Sequence, residues 1–273
     1  MKVLVTGAAG FLGRSVTRSL KVLGMDIAAV VRQGDGLAER VVCDVADPGA
    51  LCRVLDATRP ACVVNLAAIS DFSAGVLPRL YPVNTLAPAI LANYCRANGA
   101  HLVQASTIAI HERRAARIGP DTPGSPETDY GRSKWLAEQA ISASGCRSTV
   151  IRFGGIFGSD GPDHLGLNRA IRQARAGDKP TMVGQGSARR NYIYVEDAAA
   201  VVTTCVRHAL TGVFYAAGET MTIRGMLQAI CDLWLPGEVP RVVDGDEAED
   251  QVVAMSAALG SPRSFREALE DAR

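Results

Sequence analysis

The segment that most narrows the fold is KVLVTGAAGFLGRSV, residues 2–16. A β-branched run, Lys2–Thr6, leads directly into three glycines, Gly7, Gly10 and Gly13, and the third opens a helical stretch, Gly13–Leu23. Each glycine answers a steric demand. The first permits the tight turn, the second lets backbone approach a pyrophosphate, and the third lets the helix pack against the strand so that its N-terminus faces the phosphates. A strand before and a helix after separate this pattern from a chance triplet. The segment predicts a dinucleotide cradle formed by Gly7, Gly10, Phe11, Leu12 and Gly13.

The following residues keep the same rhythm. Ile27–Val31, Arg40–Cys43, Cys62–Leu66, His101–Ala105 and Thr149–Phe153 read as strands, with helices at Pro88–Asn98, closed by Gly99, and Tyr130–Ser144. Continuous apolar strands between helices indicate a parallel sheet covered on both faces. The expected class is α/β: a doubly wound parallel (Rossmann) sheet with a small C-terminal substrate-binding cap. Glu112–Asp129 reads as a loop. Beyond Gly158 come a helix at His164–Ala176, a turn at Gly184–Arg190, and an acidic tail, Asp244–Arg273, with a final helix at Pro262–Leu269. The expected division is a dinucleotide-binding domain, 1–160 with 191–218 returning to it, and a cap formed by 161–190 and 219–273.

About 20 residues beyond the glycine turn, an acid would bond the adenosine ribose of NAD. The sequence has Arg32 there, which can pair with a 2′-phosphate. This favours NADP(H) and leaves NAD open. Asp44, following the third strand, stands where an acid could accept from the adenine amino group, and Leu66, Ala67 and Ala68 leave room for a cofactor across the sheet.

The chemistry is carried by DYGRSKWLAEQA, where Tyr130 and Lys134 lie four apart on one helix face. A tyrosine is a poor base at its ordinary pKa of about 10, and a neighbouring ammonium with an oxidised nicotinamide would lower it. Only four lysines stand against twenty-five arginines, which sets this one apart from casual surface charge. A compact ammonium can also reach the cofactor ribose.

Taken together, TGAAGFLG, NLAA, YGRSKWLAEQ and RRNYIYVEDAA resemble the extended short-chain dehydrogenase/reductases, within them the epimerase/dehydratase group acting on nucleotide sugars. The similarity covers roughly residues 1 to 218. It implies Tyr130 as acid/base, Lys134 as its partner and a hydroxyl at the end of the fifth strand. Thr107 is preferred there, and Ser106 is retained because a one-residue slip would exchange them. The resemblance adds Val45, Asn84 and Phe153 to the cofactor set, and gives Arg190, with Thr107 and Tyr130, to the substrate. Arg190, ahead of its neighbour Arg189, would pair with a diphosphate. The helices Pro88–Asn98 and Tyr130–Ser144 would form a homodimer interface. Asp197 is expected to orient a helix, and Trp135 and Trp234 to pack.

Departures narrow the function. Ile108 and Ala109 stand where family dehydratases carry an acidic pair, so elimination has no acid to drive it. His111 and Glu112 replace a Tyr-Gly, and Gly155 stands where relatives carry asparagine. The expectation is an NAD(P)-dependent reductase of a 4-ketosugar, with a nucleotide-sugar 4-epimerase as the alternative. A dinucleotide-sensing regulatory protein would have no use for the Tyr130–Lys134 pair.

A net charge of +1 gives no reason to expect nucleic acid or a membrane surface, and the longest apolar runs fall short of a bilayer span. No signal peptide is read at the N-terminus. Seven dispersed cysteines and four dispersed histidines suit reduced thiols in a cytoplasm rather than disulfides or a metal site.

Overall fold

A computed structural model describes residues 1–34 and 40–273. In chain order the elements begin β1 (Lys2–Thr6), α1 (Phe11–Val22), β2 (Asp26–Val31), β3 (Arg40–Val42), α2 (Pro48–Thr58) and β4 (Cys62–Asn65). They continue with α3 (Leu77–Tyr81), a π turn (Pro82–Leu86), α4 (Ala87–Asn98), β5 (His101–Thr107), a 3-10 turn (Ile108–Ile110), α5 (Asp129–Ser144) and β6 (Ser148–Phe153). The remaining principal elements are α6 (Gly166–Arg175), α7 (Val195–His208), β7 (Gly212–Ala216), α8 (Ile223–Trp234) and α9 (Phe265–Asp271).

The seven strands form one sheet in the order β7-β6-β5-β4-β1-β2-β3. The pairings from β3 to β5 are parallel, with Val3 opposite Ile27 on one side and Cys62 on the other. The order reverses between β1 and β4, and in such sheets ligands bind at the carboxyl ends beside that reversal. The strands are apolar throughout because both faces are covered: Val3, Leu4, Val5, Val63, Val64, Leu102 and Val103 are fully buried. Leu51 and Leu55 of α2 and Leu91, Ala92 and Cys95 of α4 pack with Leu4, Val63 and Leu102.

Strand and helix expectations agree within a few residues. Among the helices that escaped the sequence reading are α2 and α8. Each has an N-cap signal: the Asp47 carboxylate accepts from Ala50 N–H at 3.0 Å ahead of Pro48, and Thr222 Oγ1 accepts from Gly225 N–H at 3.0 Å. The expected loop 112–129 contains a two-residue strand, Arg117–Ile118, paired in parallel with Val252–Val253.

The chain divides into two compact units. The first, Met1–Glu112, Pro123–Arg152 and Ala199–Phe214, carries the glycine turn and the Tyr130 helix. The second, Arg113–Thr122, Phe153–Ala198 and Tyr215–Arg273, is built from α6, α8, α9 and short strand pairs. Within it Arg263 Nε meets Asp197 Oδ1 at 2.8 Å, and Phe157 stacks against Tyr194 and Phe265. Asp197 thus ties the first turn of α7 to the segment before α9. A cavity of about 500 Å³ lies among Leu167, Ala170, Met182, Tyr192, Met226 and Leu227. No helix among the described residues is long and apolar enough to cross a membrane.

Of the seven thiols, Cys43, Cys62, Cys95, Cys205 and Cys231 are buried, Cys146 is half-buried and Cys52 is exposed. Burial pushes Cys62, Cys95 and Cys205 up to about 12.

Candidate active site

The glycine turn is built by close approach. Gly7 has φ +65°, and a Cβ there would lie 2.8 Å from Ala67 N at the end of β4. A Cβ on Gly13 would lie 2.0 Å from the Gly7 carbonyl oxygen, so only glycine lets α1 start this near β1. Gly10 N–H bonds Gly7 O at 2.9 Å, and Ala8 N–H bonds Val30 O at 3.2 Å, drawing the turn onto β2. Gly10 is the N-cap of α1 with no side-chain cap, and the first turn contains no acid. Uncapped N–H groups beside no competing carboxylate fit an anionic group such as a pyrophosphate.

The other expected cofactor residues of the first unit follow the carboxyl ends of its strands. Arg32 follows β2 and is exposed, and Asp44 follows β3, where its carboxylate accepts from Ala46 N–H at 2.9 Å. Leu66 and Ala67 are half-buried, and Ala68 is exposed. Val45 and Phe153 are buried. Beneath them the Thr6 hydroxyl donates to Asn65 Oδ1, and Asn65 Nδ2 donates to Gln104 Oε1 at 2.8 Å, fixing the ends of β1, β4 and β5.

Asn84, also expected in the cofactor set, turns its side chain to the protein. It is fully buried in the π turn, its Oδ1 accepts from Ile69 N–H at 2.8 Å, and its Nδ2 donates to Ile69 O and Ser133 Oγ, both at 3.0 Å. The amide is spent tying the loop after β4 to α5.

Three contacts position the start of α5. The Thr128 hydroxyl caps it by accepting from Gly131 N–H at 3.0 Å. The Asp129 carboxylate accepts from the amides of Val76 and Leu77 at 2.8 and 3.3 Å. Gly131 lies against the 3-10 turn, where a Cβ would come 2.2 Å from Ala109 O. That approach brings Tyr130 to the end of β5, where its phenol hydrogen-bonds the hydroxyls of Thr107 and Ser70. Phe72 lies against the tyrosine ring, centroids 4.7 Å apart.

Burial holds the Tyr130 phenol above its ordinary value, and the bonds to Ser70 and Thr107 pull the other way. The expectation of a lowered value is therefore not met by the chain alone. Lys134 is 3% exposed, and burial pushes its ammonium down to about 8 against the pull of the Glu138 carboxylate.

The two candidate hydroxyls are separated by strand alternation. Thr107 Oγ1 accepts from Ala109 N–H at 3.1 Å and stands with Tyr130. Ser106 points the other way, and its buried hydroxyl donates to Glu138. Ser106, the retained alternative, thus bonds Glu138, while Thr107 stands with the tyrosine. Glu138 is also gripped by Arg152, Nη2 to Oε2 at 2.7 Å, with the guanidinium 5.8 Å from the Trp135 ring.

Ser70, Gly131, Glu138 and Arg152 escaped the sequence reading. Glu138 stands four residues beyond Lys134, and Arg152 is a charge inside an apolar strand. Both signals were available.

Arg190 lies in the second unit, where its Nη1 donates to Arg189 O at 2.8 Å and to Glu249 O. Arg189 is exposed, and its backbone N–H meets Asp250 Oδ1 at 2.7 Å. At Gly155 a Cβ would lie 2.4 Å from the Tyr192 ring, which fills the space an asparagine side chain would need.

Residues 3–218 match the family described as the NAD dependent epimerase/dehydratase family. A dTDP-4-keto-6-deoxy-D-glucose reductase of Streptomyces niveus is 29% identical over 79% of this chain and 73% of its own. A dTDP-4-dehydrorhamnose reductase of Burkholderia thailandensis is 28% identical over 89% of this chain and 82% of its own. Other curated relatives are matched over 52–58% of their length. In fold, the chain is similar to a UDP-N-acetylglucosamine 4-epimerase from Bacillus cereus, TM-score 0.86 at 24% identity, over 99% of this chain and 97% of that one.

Proposed function

This chain belongs to the NAD dependent epimerase/dehydratase family, and from that premise we propose that it reduces the 4-keto group of a nucleotide-linked sugar, drawing on NADPH. The observation that carries this reading is the placement of the Tyr130 phenol beside the Thr107 hydroxyl at the end of β5, one helical turn from the buried Lys134. A tyrosine kept as phenol is set to give a proton to an oxygen on which negative charge is developing. The names of the two curated relatives, both 4-keto sugar reductases, agree with that direction.

The bound nicotinamide would supply the hydride. The chain's residues supply the rest. Backbone at Gly7, Gly10, Phe11, Leu12 and Gly13 would hold the pyrophosphate, and Arg32 would pair with a 2′-phosphate. Lys134 would hold the ribose hydroxyls and place positive charge beside Tyr130. Thr107 Oγ1, which accepts from Ala109 N–H, has its own proton to donate and would hold the substrate oxygen. Tyr130 delivers its proton to that oxygen. Ile108 and Ala109 supply no carboxyl group for dehydration. Arg190 would turn from backbone carbonyls to a substrate diphosphate, and α4 and α5 would pair across a two-fold in a homodimer.

The test is NADPH consumption with dTDP-4-keto-6-deoxyglucose. Tyr130→Phe is expected to lose at least about 100-fold in turnover while still binding NADPH. A fully active Tyr130→Phe variant would overturn the reading. So would stoichiometric NAD released on denaturation, which is the mark of an epimerase.

A further inference from the structure

We infer that Glu138 is a positioning residue of this site: clamped by Arg152 and Ser106, it is the fixed anion that keeps the Lys134 ammonium charged one helical turn from Tyr130. The inference rests on the reading above for the meaning of Lys134, but not for its own test.

Tyr130, Lys134 and Glu138 follow one another at intervals of four along α5 and so share one face. Lys134 and Glu138 are 3% and 6% exposed. A buried ammonium is costly unless an anion answers it. Glu138 is that anion, opposing the burial that drives the Lys134 proton off.

The carboxylate is held by two side chains from neighbouring strands. Arg152 reaches it with Nε at 3.2 and 3.3 Å and Nη2 at 2.7 Å, and Ser106 Oγ donates to Oε1. Arg152 is 9% exposed and lies over Trp135, so the clamp is itself packed in place. Two cations and one anion are thus buried together. Remove the anion, and the group able to shed its charge is Lys134, because a guanidinium does not.

The surrounding charges are otherwise occupied. His111 is buried, with Nδ1 bonded to Pro123 O at 2.8 Å, and burial keeps it below its ordinary value. On α3, Arg79 pairs with Asp71; on β5, His101 bonds Thr149 and Leu210; at the head of α5, Asp129 takes the Val76 and Leu77 amides. Arg96 on α4 is exposed, near Gly145 at the far end of α5.

The experiment uses the chain's four lysines. In full-length protein labelled with [13C]lysine, without cofactor or substrate, the Cε resonance of Lys134 is followed against pH, assigned by its loss in Lys134→Met. Glu138→Gln is expected to lower the Lys134 midpoint by at least one unit, a tenfold change in its acid constant. Glu138→Asp keeps the charge at a longer reach and is expected to fall between Gln and the wild type. It also serves as the reading if Glu138→Gln does not fold.

The kcat/KM profile for NADPH-dependent reduction should lose its alkaline side at correspondingly lower pH, with KM little changed. A Lys134 midpoint that matches the wild type in the folded variant overturns the proposal, whatever the turnover. Because the titration needs neither ligand, it can succeed while the substrate reading fails, and Tyr130→Phe reports on that reading separately.

Discussion

Gly131 shows how much of the site hangs on one hydrogen atom. Its missing side chain lets the head of α5 rest on the carbonyl of Ala109, and that contact sets where Tyr130 stands relative to Thr107. Gly131→Ala is expected to push the helix off the turn and lower kcat by more than tenfold, since misplacements near 1 Å cost about 100-fold. Stability should fall by about 1–3 kcal/mol. Steady-state kinetics and thermal melts on the same sample would separate the two effects. At this scale the sequence was partly legible. Tyr130 and Lys134 were readable because their spacing along a helix is itself the geometry. Thr107 and Ser106 could not be separated, because alternation says only that neighbours face apart and not which face meets the tyrosine. Ser70, 60 residues away along the chain, reaches Tyr130 only through the fold.

Among the elements, β1, the glycine turn and α1 form one unit whose geometry follows from three residues. Gly13→Ala would drive a methyl carbon to 2.0 Å from the Gly7 carbonyl, and α1 must then retreat from β1. The expected result is loss of dinucleotide binding by titration calorimetry and a lower melting temperature. Gly155 supports a second test. Gly155→Asn should destabilise because the Tyr192 ring occupies the space, whereas the same change made in Tyr192→Ala should cost less. The coupling in a double-mutant cycle is expected at about 1–3 kcal/mol, and additivity would sink the explanation. The principal strands and several helices were legible because apolar runs and the glycine C-cap at Gly99 mark them locally. The pairing of Arg117–Ile118 with Val252–Val253 was not, since two residues carry no period and the partners are far apart in sequence.

For the whole molecule, the buried groups dictate how stability depends on pH. Cys62, Cys95 and Cys205 hold their protons up to about 12 in the folded chain, whereas an unfolded thiol releases its proton near 8.5. Between those limits the native state binds more protons, so stability must fall as pH rises from about 9 toward 12. Lys134 acts in the opposite sense: held down to about 8 when folded, against about 10.4 when unfolded, it favours the fold increasingly across that window. Three thiols against one ammonium give a net decline. Urea midpoints should therefore be lower at pH 10 than at pH 8, and a flat profile would contradict the burial of these groups. The distribution of cysteines suggested reduced thiols, but which of them the fold seals could not be read from their positions.

The same burial gives the chain a built-in clock. Five thiols are sealed, one is half-buried, and Cys52 on α2 lies open. A maleimide should modify Cys52 within the first moments and Cys146 more slowly, then stall. The remaining five can react only as often as the structure opens around them, so the rate of their late labelling, counted by intact mass, measures the opening equilibrium of the native protein without denaturant and without a single engineered residue.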